Sequence, residues 1–161
     1  VIVAGGLIGI LAGGWIADRR ALRTPTAHLE VGIVGFLAGA VLIVIAIVSP
    51  TLPVFIPFFL LTVVCLYLYQ GPFTAVAQNV VSPALRASSV TLLLLIAHVA
   101  GDSHSPYDVG LISDHLNGNL QAALLITSPT LLILAAVAAA SGLKTVKQDT
   151  ETMETAWAAS R

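Results

Sequence analysis

The segment VGIVGFLAGAVLIVIAIVS, residues 31–49, contains nineteen consecutive residues without a charge. The hydrocarbon core of a bilayer is about 30 Å thick and takes roughly 20 helical residues to cross. Pro50 and Pro53 follow directly, and proline is a poor continuation for a helix. This segment is therefore predicted to be a transmembrane helix.

The composition extends this prediction to most of the chain. Hydrophobic residues make up 57% of the 161 residues and charged residues only 9%, a balance that a soluble domain of this size does not need. At roughly 20 residues per span, the length allows about five spans with short loops and a tail. The predicted fold class is therefore all-α, a polytopic membrane protein with five transmembrane helices.

Four further spans are predicted around the first. They cover residues 1–17, 54–80, 85–112 and 120–142. Gly71 and Pro72 are expected to kink the span 54–80, and Pro106 is expected to bend the span 85–112 without ending it. Residues 1–143 thus form a partial transmembrane bundle, and the polar residues 144–161 form a solvated tail.

Charge and cysteine content exclude several classes of protein. A net charge of −1 gives no reason to expect a nucleic-acid partner, and the single cysteine, Cys65, has no other cysteine in the chain to pair with. No cofactor or metal is predicted. The chain opens on Val1 without a charged leader, so we expect a sequence cut within a longer protein rather than a secretory signal.

The basic residues predict an orientation, because lysine and arginine collect on the cytoplasmic side of a membrane. Five spans place the first loop, the third loop and the tail on one side. All seven basic residues fall in these three places: Arg19, Arg20, Arg23, Arg86, Lys144, Lys147 and Arg161. The C-terminus is therefore predicted to be cytoplasmic, in a multi-pass protein of the cell membrane.

Small residues predict how the spans associate. Gly5, Gly9 and Gly13 recur every four residues in the first span, and Gly35 and Gly39 do so in the second. Glycines one turn apart let helix backbones approach closely, which matters in lipid because hydrophobic burial no longer drives helices together. The pattern indicates a helical bundle and does not identify a function.

Polar residues within the fourth span are the first candidates for chemistry. His98, Asp102 and Ser105 fall on one face of an α-helix at about 100° per residue. An ionisable group at membrane depth is costly unless it faces a cavity or a partner. The three residues are candidates for a substrate or proton pathway, and a structural carboxylate bonded to a neighbouring helix is the alternative for Asp102.

The third span supplies a second polar group near its expected kink. Tyr69, Gln70 and Gln78 carry hydroxyl and amide groups close to Gly71 and Pro72. Kinked or broken helices near the midplane are where transporters place substrates. Packing tyrosines and helix-bridging glutamines are the structural alternative.

Four stretches of the chain resemble a known family of transporters. GGWIADRR, residues 13–20, is similar to the Gly-x-x-x-Asp-Arg loop motif of the major facilitator superfamily. Residues 70–87, 98–106 and 109–114 resemble helices 10 and 11 of its Spinster-like branch, whose members are associated with lysophospholipid or sphingoid-phosphate transport. The chain departs from that branch at Ser82, Ser103 and His104.

The resemblance implies that the five spans correspond to helices 8 to 12, most of the C-terminal half, with helices 1 to 7 missing from this sequence. It implies that Asp18 acts as a gate latch, meeting the positive end of a helix in the other half. Arg19 and Arg20 would hold this gating loop or anchor it to anionic lipid headgroups. Arg86 would lie at the cytoplasmic start of helix 11.

The function expected from the resemblance is alternating-access transport of a lipid-like or organic anionic substrate, coupled to protons or ions. Apart from Arg86 at the start of the fourth, the spans contain no lysine or arginine, so the main anion-binding residues are expected in the missing N-terminal helices. Transport of a small organic anion or drug is the alternative within the superfamily. From other classes, an intramembrane metal hydrolase lacks a supporting motif and has its candidate ligands on two faces, and a non-transporting scaffold stays open.

Overall fold

A computed structural model describes residues 1–24, 26–102 and 104–159, although the side chains of Ala100, Asp102, Glu154 and residues 156–159 lie outside the description. Within these ranges the secondary structure is helical, with no strand, which confirms the all-α prediction. The α-helices are α1 (Ile2–Ala21), α2 (Ala27–Val48), α3 (Leu52–Tyr67), α4 (Gln70–Asn79), α5 (Arg86–Ile96), α6 (Ser105–His115), α7 (Leu120–Ser141) and α8 (Leu143–Ala159). A 3₁₀ turn, Pro83–Leu85, precedes α5, and a π-helix, Ala97–Asp102, follows it.

Four stretches of the described chain are long and apolar enough to cross a membrane: Ile2–Ala21, Ala27–Val48, Leu52–Asn79 and Leu120–Ser141. They match four of the five predicted spans. The remaining prediction, one bent helix over residues 85–112, is wrong in form because α5, the π-helix and α6 replace it. Pro106 has no N–H for the carbonyl four residues earlier and disfavours helical backbone before it, which favours the start of a separate helix, α6, at Ser105. The fifth span stays a prediction.

The third span is divided at Leu68 and Tyr69, where α3 ends and α4 begins. The division lies four residues before Pro72, since this proline has no N–H to donate to the Leu68 carbonyl. The predicted kink is therefore present, but the helix is interrupted one turn before Pro72. The freed Leu68 carbonyl lies against Gly13 of α1, where a Cβ atom would overlap it.

Glycines of α1 and α2 pack against α3, which gives the close helix packing that their spacing predicted. A Cβ on Gly9 would lie 2.5 Å from the Val64 carbonyl oxygen, and one on Gly35 would lie 2.7 Å from the Cys65 carbonyl oxygen. A Cβ on Gly39 would meet only an ordinary contact, 3.6 Å from Leu66. Helix α3 is thus held between two helices whose backbones approach it closely.

Helix α2 is the centre of the bundle and packs most extensively against α7 and α3, with further contacts to α1 and α4. Phe36 of α2 joins Tyr69 and Phe73 in an aromatic cluster beside the α3/α4 break, with ring centroids 4.9 Å and 6.0 Å from its own. Such tilted and edge-on pairs add about 0.5–1.5 kcal/mol each beyond the area they bury. The cluster fixes the direction in which α4 leaves the break.

Contacts at the two ends of the bundle show which loops and helix ends lie on the same side. Gly142, at the end of α7, lies near Leu29 at the start of α2, and α8 contacts α4. At the opposite end, the Gln121 side-chain amide donates to the Ile47 carbonyl at 2.9 Å. The α1–α2 loop, the C-terminal end of α4 and the start of α8 therefore share one end of the bundle. Which side of the membrane that end faces stays a prediction.

Candidate gating loop and interrupted helices

The α1–α2 loop is tied together by pairs of side chains across its two helices. The Asp18 Oδ1 and His28 Nε2 atoms lie 3.4 Å apart, and the Arg20 Nη2 and Glu30 Oε2 atoms lie 4.0 Å apart. The Thr26 hydroxyl donates to the other carboxylate oxygen of Glu30 at 2.7 Å, across the first turn of α2. The loop is therefore closed by contacts of its own.

Two of these partners, His28 and Glu30, were not among the predicted site residues. Glu30 follows Thr26 by four residues at the start of a helix, a spacing that could have indicated a local pair. His28 is ten residues from Asp18 and only the fold of the loop brings the two together. The sequence contains no signal for that pairing.

Arg19 turns away from this network and lies over the indole ring of Trp15, one turn earlier on α1. The guanidinium carbon is 5.0 Å from the ring centroid, a cation–π geometry. Beside this pair lies a cleft of about 510 Å³. The described residues that line it are Trp15, Ile16, Arg19, Arg20, Leu22, Arg23 and Thr24. Arg86, the fourth predicted loop residue, is exposed at the start of α5.

The polar residues of the third span lie at and after its break. Tyr69 is half-buried between Phe36 and Phe73, its ring centroid 5.3 Å from that of Phe73. Gln70 begins α4 and Gln78 lies near its end, and both are half-buried. Eight residues of α-helix separate the two amides by about 12 Å along the axis. They do not form one cluster.

The polar residues of the fourth segment lie in and just after the π-helix. His98 is exposed within it, and Ser105 is exposed at the first position of α6. The side chain of Asp102 lies outside the described part of the chain. A π-helix has a wider turn than an α-helix, so the angle between successive residues differs. The α-helical geometry that predicts one shared face for His98, Asp102 and Ser105 therefore does not apply here, and the shared face stays a prediction. Single π-turns occur often at functional sites.

His104 makes a hydrogen bond within the interrupted segment. His104, the residue before α6, has its Nδ1 atom 2.8 Å from the Val99 carbonyl oxygen. In this contact Nδ1 carries the proton and donates, which leaves Nε2 as an acceptor in the neutral ring. His104 thus satisfies a carbonyl in the stretch where the regular α-helical ladder is interrupted.

The two interruptions lie at the same depth in the bundle. Helix α5 returns along α4, and the Ser89 hydroxyl donates to the Ala77 carbonyl at 2.8 Å. Leu68 lies nine residues from Ala77, and His98 lies nine residues from Ser89, so each is about 13 Å from that shared point at 1.5 Å per residue. Both interruptions therefore lie at similar distances from the end of the bundle that carries the α1–α2 loop.

Four helical stretches that are long and apolar enough to cross a membrane, one of them interrupted beside polar side chains, define a multi-pass helical membrane protein. No family model matches the chain. It is 34% identical over 136 residues to the probable sphingolipid transporter spinster homolog 3 of Arabidopsis thaliana, covering 84% of this chain and 26% of that protein. It is 32% identical over 111 residues to the sphingosine-1-phosphate transporter SPNS2 of Mus musculus, covering 68% and 20%.

The chain is also similar to a bacterial protein over most of its length. The chain is 32% identical over 130 residues to an MFS-type efflux pump of Mycolicibacterium smegmatis, covering 81% of this chain and 30% of that protein. These similarities confirm the resemblance noted in the sequence: the chain is a Spinster-like part of a major facilitator superfamily protein. It spans about a quarter of the length of the curated relatives it matches. The relatives are named as transporters, which are not enzymes.

Proposed function

We propose that this chain is part of a secondary transporter that moves a lipid-like or organic anionic substrate by alternating access. The observation that carries the proposal is the pair of interruptions, α3/α4 and the π-helix, at similar distances from the end of the bundle that carries the α1–α2 loop. Interrupted helices within a membrane free backbone groups to meet a substrate or coupling ion, and lipid tolerates them only where they face protein or a water-filled cavity. The names of the Spinster relatives and of the efflux pump support transport as the activity.

In this proposal the substrate or proton pathway runs past the two interruptions. The residues assigned to it are Tyr69, Gln70, Gln78, His98, Asp102 and Ser105. The transmembrane helices of this chain contribute no lysine or arginine at that depth. A phosphate-bearing substrate therefore needs its main cation from the N-terminal helices, and these polar residues orient it. Proton or ion coupling is assigned to Asp102 with His98.

The gate is assigned to the α1–α2 loop. Asp18 is largely exposed, with 79% of its side chain accessible, and its neighbour His28 is only 15% exposed. An exposed carboxylate at a helix end is available to the positive N-terminal end of a helix in the other half of the transporter. Asp18 would exchange between His28 and that helix as the cytoplasmic side opens and closes, with Arg19, Arg20 and Arg86 framing the gate. This places the loop and the C-terminus in the cytoplasm and the five segments as helices 8 to 12.

A second candidate function is efflux of a small organic anion or drug by the same mechanism. The relative named as an MFS-type efflux pump favours it. No observation favours the metal hydrolase considered from the sequence, and the relatives are named as transporters. Partners of the chain in this proposal are membrane lipids, the remaining helices and the substrate.

The deciding experiment reconstitutes the full-length protein in liposomes and measures uptake with and without a pH gradient. Competition between a sphingoid phosphate, a lysophospholipid and a hydrophilic organic anion separates the two candidate functions. Asp102→Asn is expected to reduce or uncouple transport while expression stays normal. Asp114→Asn, an exposed carboxylate at the end of α6, is the matched control. Unchanged, still proton-dependent uptake by Asp102→Asn would remove that residue from the mechanism, and no transport of any probe would favour a scaffold.

A further inference from the structure

The ring of Phe73 occupies a notch in α2 that exists because residue 32 is glycine. A Cβ atom on Gly32 would overlap the Phe73 ring and would lie 3.2 Å from the Cβ of Tyr69. Gly32 is buried within the bundle. All of these atoms belong to the described chain, so the contact does not depend on what covers the outer faces of the bundle.

Phe73 is coupled to Tyr69 by two contacts at the start of α4. The Phe73 N–H donates to the Tyr69 carbonyl at 2.8 Å, and the two ring centroids lie 5.3 Å apart at an interplanar angle of 69°. Tyr69 also pairs with Phe36, a buried residue of α2, whose centroid is 4.9 Å away. Because aromatic pairs prefer particular tilted and edge-on geometries, a displaced Phe73 ring would change the packing of Tyr69.

A larger residue at position 32 would displace this ring before it displaced a backbone. Gly35, three residues later on α2, already approaches α3 so closely that a Cβ there would lie 2.7 Å from the Cys65 carbonyl oxygen. The backbones of α2 and α3 are therefore in contact beside the notch. A side-chain ring can turn about its own torsions, so the added methyl group would be accommodated mainly by Phe73, and through it by Tyr69.

We propose that Phe73, seated in the Gly32 notch, is a positioning residue that holds the Tyr69 ring in the orientation met by the substrate. This inference rests on the proposed function, in which Tyr69 belongs to the transport pathway. Neither Gly32 nor Phe73 was among the predicted site residues, and neither needs to touch the substrate. A tyrosine offers an apolar ring and a hydroxyl, and a hydrogen bond depends on angle as well as distance, so a turned ring weakens substrate binding.

Gly32→Ala in the full-length protein tests the notch. In proteoliposomes, uptake of a radiolabelled sphingoid phosphate is measured, or of a lysophospholipid where the parent transports only that probe. The half-saturating concentration (KM) should rise about two- to tenfold, the affinity range of one hydrogen bond, and the maximal rate should change less than about twofold. Damage to folding would do the opposite, because it removes active protein and leaves KM unchanged. Gly39→Ala is the matched control, since a Cβ there meets only ordinary contacts.

A compensating pair of substitutions distinguishes the notch from a general effect of the new methyl group. Phe73→Leu shortens the side chain and loosens its contact with Tyr69, so alone it should also raise KM. Gly32→Ala/Phe73→Leu moves volume from one side of the contact to the other, which packed cores tolerate better than a net change in volume. The double variant should therefore have a lower KM than either single variant. Effects of the two substitutions that simply multiply would overturn the proposal.

Fluorine NMR provides a readout that needs no transport. A fluorotyrosine at position 69 of the full-length protein in nanodiscs reports the surroundings of that ring. Gly32→Ala should shift its signal, and Gly39→Ala should not. An unshifted signal in Gly32→Ala, or the same shift in the control, would refute the positioning of Tyr69.

The two readouts separate this inference from the proposed function. A shifted signal with an unchanged KM would overturn the positioning role while transport by the parent stands. If the parent transports neither probe, the proposed function fails, and the fluorine signal still decides whether the notch orients Tyr69. If Gly32→Ala does not fold, Phe73→Leu alone should shift the signal and raise KM, and the absence of either change would refute the proposal.

Discussion

Substitution of Gly9 by alanine tests whether close backbone approach holds α1 to α3. The new Cβ would lie 2.5 Å from the Val64 carbonyl oxygen and 2.8 Å from the Tyr67 Cβ. Neither of these atoms is the flexible end of a side chain, so the helices must move apart along their contact. Overpacking of this kind costs about 1–3 kcal/mol.

Gly14→Ala is the control, because a Cβ there meets nothing within 4 Å. Alanine is favoured over glycine inside a helix by about 1 kcal/mol, so this variant should be as stable as the parent or more so. The same preference applies at Gly9, so it cancels in the comparison, and the two variants should differ by about 1–3 kcal/mol in the free energy of unfolding. Denaturant unfolding of the purified full-length protein in mild detergent measures the difference. Equal stability of the two variants would refute the close α1–α3 contact.

Three further predictions address the break, the loop and the far end of the bundle. Pro72→Ala restores an N–H to the Leu68 carbonyl and should lower transport at least about tenfold, whereas Pro57→Ala in α3 should keep more activity; equal losses would show that the break is not specific. Asp18→Asn should impair uptake far more than His28→Ala, since the histidine only holds the carboxylate within its own loop, and the reverse order would remove Asp18 from the gate. Gln121→Ala deletes the amide that donates to the Ile47 carbonyl and should cost about 0.5–1.5 kcal/mol, measured by the same unfolding assay; no change would show that the contact contributes nothing.

The main features of the fold were predictable because lipid imposes simple rules on sequence. Long runs without charge gave helices close to the observed ones, as for residues 31–49 against Ala27–Val48. The glycine spacing predicted close packing of helices. It could not identify α3 as the partner of the glycines in both α1 and α2, because that depends on which helices are neighbours in the fold. Pro72 predicted a kink, and the missing N–H explains why the break falls four residues earlier.

The candidate site was predictable only in part. Polar residues in apolar runs pointed to the two interrupted segments, but a π-helix has no clear signature and was taken for a continued α-helix. The partners of the loop, His28 and Glu30, depend on the turn between α1 and α2. The equal depth of the two interruptions depends on the Ser89 contact with Ala77, which no periodicity in either helix specifies.

The contact between Gly13 and the freed Leu68 carbonyl has a mechanical consequence for α1. Gly13 and Asp18 are separated by five residues of one helix, about 7.5 Å along its axis. Because no flexible linker intervenes, we expect α1 to behave as a short lever, with the gate at one point and the break at another. A displacement of the loop would then move Gly13 toward or away from the freed Leu68 carbonyl, and distance measurements between spin labels on α1 and α4 in both transport states would detect it.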